Sequence, residues 1–116
     1  MKRDYKDYVI DILQSIETIE KFIKGLSFQN FREDEKTIFA VVRALEVIGE
    51  AVKKIPPDIK KKYKQVPWKK MAGMRDKLIH EYFGLNTKVV WRTVKDELPQ
   101  VRPQIEEILK DHIREN

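Results

Sequence analysis

A chain of 116 residues can bury one hydrophobic core and is too short for two ordinary ones, so a single domain spanning residues 1–116 is expected. Its 37% charged and 41% hydrophobic residues suit long helices with solvated faces, and the lack of cysteine excludes disulfides and thiolate zinc sites. The net charge is +5, no apolar run nears the roughly 20 residues that span a bilayer, and the start MKRDYKDYVIDIL lacks a signal peptide's unbroken apolar stretch; a cytoplasmic protein away from membranes is expected.

Tyr5, Tyr8, Val9, Ile12, Leu13, Ile16, Ile19, Ile23 and Leu26 recur at three- and four-residue steps, which predicts a first amphipathic helix ending near Gly25. A second is expected to start after Asn30 as N-cap, with Glu33, Asp34 and Glu35 near the positive end of its dipole, and to run towards Ile55. Pro56 and Pro57 stop it. Its main stripe is Ile38, Val41, Val42, Leu45, Ile48, Val52 and Ile55; Phe39, Val47 and Ala51 widen the apolar arc, which predicts contacts on two sides. After a short helical turn and loop in PPDIKKKYKQVPW, a third long helix is expected from about Trp68 to Phe83, with Gly84 ending it. Asn86 can cap a fourth, containing Val89, Val90, Trp91 and Val94, which Pro99 interrupts or kinks before a helical period resumes to the C-terminus. No strand pattern or internal repeat competes. The expected fold is all-α, an antiparallel bundle of four to five helices.

Charge is concentrated in one block. Residues 53–77 hold nine lysines and Arg75 against only Asp58 and Asp76. Such a block attracts polyanions, nucleic acid first among them, through its summed field and counterion release. The plainer reading is a solvated lysine-rich face, a composition also found in heat-adapted proteins.

At the end of that block stands GMRDKLIHEYFGLN, which sets Arg75, Asp76, His80 and Tyr82 among apolar residues. On a helix, positions 75 and 80 differ by about 140° around the axis, so only a long arginine in a groove would converge with the histidine. Asp76 precedes His80 by one turn, a spacing at which a carboxylate can fix an imidazole tautomer. Tyr82 returns to nearly the face of Arg75. Imidazole, guanidinium and phenol together suit phosphodiester cleavage without a metal: the imidazole takes a proton from an RNA 2′-hydroxyl and the guanidinium meets charge developing on the phosphate. One imidazole does not readily serve as both base and acid, whereas a symmetric dimer would bring two. Taken by spacing alone, the same residues also fit a helix-end cap and surface ion pair. His112 is read as structural, and Glu46 and Glu50, beside Arg43, as solvated ion pairs and not a metal site.

The stretches RALEVIGEAVKKIP, PWKKMAGMRDKLIHEYFGLN and VVWRTVKDELPQV resemble the HEPN superfamily, specifically the HepT toxins that accompany small MNT-type nucleotidyltransferase antitoxins. Their signature R-x-x-x-x-H-x-Y is met by Arg75, His80 and Tyr82. The resemblance implies a helical homodimer whose motif helices line a shared cleft. It implies a ribonuclease that needs no metal or other cofactor, with Arg75 and His80 as the catalytic pair; the spacing of Asp76 makes it the expected support for His80. It also implies that the partner nucleotidyltransferase attaches AMP to Tyr82, placing charge and bulk where the RNA phosphate would sit. Lys69, Lys70 and Lys77 are expected to hold RNA, with Tyr63, Trp68 or Tyr82 available to stack on bases. A reading of another class is a non-catalytic helical module that binds a nucleotidyltransferase or a nucleotide through the same groups.

Overall fold

The structure, a computed structural model, describes residues 3–81 and 86–115, and of residues 75–81 the helical backbone alone. Helix α1 (Tyr5–Ile23) buries Val9, Ile12, Ile16 and Ile19 completely, the stripe that three- and four-residue spacing requires. It ends as expected: Leu26 N–H donates to the Ile23 carbonyl at 3.0 Å, and Gly25 takes a left-handed φ of 78°.

The second predicted helix is two. Helix α2 (Phe28–Glu33) is capped by Ser27, whose Oγ accepts from the Asn30 amide at 3.1 Å, so Asn30 lies inside a helix instead of starting one. Asp34 then caps α3 (Glu35–Lys54), accepting from the Thr37 amide at 3.1 Å and the Thr37 hydroxyl at 2.6 Å. Two strong capping residues one short helix apart each claim a start, and the backbone breaks between them. Those Thr37 bonds hold the Asp34 carboxyl below its ordinary range.

Pro56 and Pro57 end α3, with Pro57 at the first position of α4 (Pro57–Lys62), where its missing N–H costs nothing. Helix α5 (Trp68–Glu81) comes next, and its expected end at Phe83 and Gly84 lies outside the described residues. Asn86 caps α6 (Thr87–Arg92) as expected, accepting from the Lys88 and Val89 amides. Pro99 does not separate α6 from the C-terminal helix. A π-helical turn, Thr93–Glu97, joins α6 directly to α7 (Leu98–Glu115), and Leu98 N–H donates to the Thr93 carbonyl five residues back. The wider turn absorbs the proline, whose ring and missing N–H disfavour an ordinary α-turn at that place.

Among the described residues, then, four long helical rods (α1, α3, α5 and α6 through α7) and two short helices form the expected all-α bundle without strands. Helix α3 is packed between α1 and α5, the two-sided contact that its wide apolar arc predicts, and α7 lies against α1. One core runs through all four rods, from Val9 and Ile48 to Met71 and Ile105, each fully buried. Arg102 on α7 reaches Glu17, at 3.2 Å, and Glu20 on α1 while also pairing with Glu106, pinning the outer seam. No described helix is long and apolar enough to cross a membrane.

Candidate active site

Helix α5 carries positions 75 and 80, and its start is tied to the connection that precedes it. The Met71 amide donates to the Pro67 carbonyl at 3.0 Å, and the Trp68 indole N–H donates to the Tyr63 carbonyl at 3.0 Å. The Tyr63 hydroxyl in turn donates to Asp111 on α7 at 2.7 Å. Burial first, then that bond to a carboxylate, pushes the Tyr63 phenol well above its ordinary pKa. Met71 is fully buried, and Trp68 and Met74 nearly so, which seats α5 firmly along α3.

Positions 75, 76, 77 and 80 all lie on this helical backbone; the side chains of Arg75, Asp76, Lys77 and His80 fall outside the described residues, as does Tyr82 altogether. Helical register puts position 75 about 40° from Met71 around the axis and position 80 about 180° from it. Arg75 and His80 therefore occupy different edges of one rod.

Of the three lysines expected to hold RNA, Lys69 and Lys70 share one surface with other lysines, and the Lys77 side chain lies outside the described residues. Lys60, Lys61 and Lys64 from α4 and the loop after it, with Lys69 and Lys70 from the first turn of α5, border a shallow, open hollow above Val66, Pro67 and Trp68. No acidic residue stands among its described walls, and Lys60, Lys61, Lys64 and Lys69 form no ion pair with a described residue. Lys70 is different: it pairs with Glu97, on the π-turn, at 2.5 Å. Nothing in the sequence pattern announced Glu97, because the contact depends on how the α6–α7 rod crosses α5.

The aromatic expectations divide. Tyr63 and Trp68 are 6% and 8% exposed and committed to internal hydrogen bonds, so neither offers a face for stacking on bases. Trp68 packs the start of the helix. His112 is structural as expected, sharing a 2.9 Å hydrogen bond with the Tyr5 hydroxyl through Nδ1. Glu46 and Glu50 lie 3.2 Å and 3.9 Å from Arg43, the ion pairs foreseen for them. Among the described residues no group of His, Asp or Glu is placed to hold a metal ion.

The model of a family described as ribonuclease HepT-like matches residues 12–108. Over 110 residues the chain is 51% identical to the protein named "Probable ribonuclease HepT" of Thermococcus cleftensis, an alignment that covers 95% of this chain and all of that protein. It is 50% identical over 110 residues to "Putative RNase MJ1216" of Methanocaldococcus jannaschii, covering 95% of this chain and 91% of that one. No solved structure matches.

Proposed function

Because the chain belongs to the HepT-like ribonuclease family, we propose that it is a metal-independent endoribonuclease that acts as a homodimer in the cytoplasm, the toxin of a pair whose antitoxin is an MNT-type nucleotidyltransferase. What supports this reading is the R-x-x-x-x-H-x-Y sequence, whose positions 75 and 80 lie on the backbone of the firmly seated helix α5, with the lysine-lined hollow beside its first turn. Phosphates tracked by Lys69 and Lys70 would arrive at the end of the rod that leads to Arg75.

In the proposed reaction, His80 takes the 2′-hydroxyl proton, the 2′-oxygen attacks the adjacent phosphorus, and the bond to the 5′-oxygen breaks. A 2′,3′-cyclic phosphate forms. The leaving 5′-oxygen receives its proton from a second imidazole, His80 of the other copy, while Arg75 offsets charge on the phosphoryl oxygens. The register of positions 75 and 80 on different edges of α5 favours a cleft completed by a second rod. Asp76 would orient His80, and Lys77 would extend the cationic track. AMP on Tyr82 would add charge and bulk at the cleft and silence the enzyme.

The test is cleavage of single-stranded RNA by the purified protein in EDTA. His80→Ala and Arg75→Ala should each abolish cutting with an unchanged melting curve; full activity in His80→Ala would overturn its role. RNA binding without cleavage under any condition would favour the non-catalytic module. A strict monomer at micromolar concentration in sedimentation would remove the second imidazole.

A further inference from the structure

The groove between α5 and the α6–α7 rod contains a cavity of about 300 Å³. That is the small end of the range for ligand sites, roughly 300–1,000 Å³, and suits one flat ring. Leu45, Met74 and Val90 give it an apolar floor; Lys70, Arg92 and Glu97 stand at its rim.

Gly73 forms part of the wall, and it is the informative residue. Glycine inside a helix is less stable there than alanine, so its presence calls for a reason. Backbone conformation supplies none, since Gly25 is the glycine with positive φ among those described. Packing supplies none either: a Cβ built on Gly73 meets no atom within 4 Å. What the missing side chain leaves is open space on the cavity side, one residue before Met74 and two before Arg75. The opposite wall is equally particular. It is made by the end of α6 and the π-helical turn, a feature frequent at functional sites, whose last residue, Glu97, is drawn across to Lys70.

We propose that this cavity seats a nucleobase of the RNA beside the phosphate that the motif engages, so that it selects where the chain is cut. The inference rests on the ribonuclease reading. A base slides its ring over Met74 and Val90 in the space that Gly73 leaves. Glu97 is an acceptor for amino hydrogens on the base edge, as carboxylates are for the cytosine amino group in nucleic-acid readout. Lys70 and Arg92 flank the site as partners for the attached phosphate. Adenine, guanine and cytosine carry such an amino group; uracil does not.

Two measurements on the full chain decide this. In the first, isotope-labelled protein is titrated with AMP, GMP, CMP and UMP, following the amides of Gly73, Val90 and Thr93. Saturable shifts are expected there, at least several-fold tighter for the amino-bearing bases than for UMP, and lost in Gly73→Leu. In the second, cut positions are mapped on random-sequence RNA. A base preference next to the cut is expected in the wild type and should weaken in Glu97→Gln, which also serves if Gly73→Leu fails to fold. Cutting with no base preference and no mononucleotide shifts would overturn the pocket and leave the ribonuclease standing. Shifts at the cavity without any cutting would uphold the pocket and overturn the ribonuclease. Shifts that track protein concentration and ignore nucleotide would assign the cavity to a second copy of the chain and overturn the proposal.

Discussion

The Tyr63 hydroxyl donates to the Asp111 carboxylate at 2.7 Å, and through that bond the connection leading into α5 is tied to the last turns of α7. The same tyrosine's carbonyl accepts from the Trp68 indole at 3.0 Å, so one residue anchors both the far rod and the start of the motif helix. Replacing Tyr63 with Phe keeps the buried ring and leaves Asp111 without its donor. A hydrogen bond to a charged group contributes about 1.5–3 kcal/mol, so Tyr63→Phe is expected to lower stability by up to about that amount in denaturant unfolding. Tyr63→Ala, which also empties the ring's place, should cost more.

The raised Tyr63 phenol also has a consequence in alkali. Burial and the Asp111 bond keep it neutral in the folded chain beyond its ordinary value of 10.0, whereas in the unfolded chain it ionises near that value. Below pH 10 both states hold the proton and the stabilisation is fully present. As pH rises through 10 towards the folded value, the unfolded chain loses protons first and stability falls. Tyr5, raised mainly by burial, adds in the same direction. Unfolding measured between pH 9 and pH 11 should therefore show declining stability, with a shallower decline in Tyr63→Phe; an identical slope in the two proteins would contradict this account.

How far the sequence alone reaches is visible in particular elements. The stripe Val9, Ile12, Ile16 and Ile19 and the Asn86 cap were legible because helical period and capping act over a few neighbouring residues. Asn30 misled because Ser27 and Asp34 both outcompete it, and the choice among adjacent caps depends on which backbone break the core accepts. Pro99 was visible as a disturbance, but whether a chain breaks, kinks or widens into a π-turn depends on what the rod packs against. At the site, the helix that bears positions 75 and 80 and the run of lysines before it were legible from helical period and charge. The Lys70 to Glu97 pair and the cavity beside Gly73 were not, since each exists only where two rods cross.

Gly73 offers a direct comparison of stability with use. It lies within α5, its backbone is not left-handed, and a Cβ there meets nothing within 4 Å. Gly73→Ala should accordingly raise stability by about 0.5–1 kcal/mol, the difference between the two residues in a helix interior. Thermal unfolding checks this. A lower melting temperature would mean that another part of the chain occupies the space beside Gly73, and the cavity would then not be open.

The lysine hollow makes a prediction that needs no catalysis. Lys60, Lys61 and Lys64 share it with Lys69 and Lys70, and of these only Lys70 has an acidic partner among the described residues. If the hollow tracks a single-stranded backbone, each phosphate contact contributes about 0.7 to the slope of log K against log salt. Lys60→Ala, Lys61→Ala and Lys64→Ala combined should flatten that slope by up to about 2 and weaken binding most at low salt. Fluorescence anisotropy with a labelled single-stranded RNA, on the His80→Ala background to prevent cutting, reads both quantities. Because these side chains are solvated and outside the core, the triple variant should melt with the parent protein, so a lost slope reports the surface and not the fold. An unchanged slope would mean that RNA approaches α5 from elsewhere, and the charge of the hollow would then be only a solvated face.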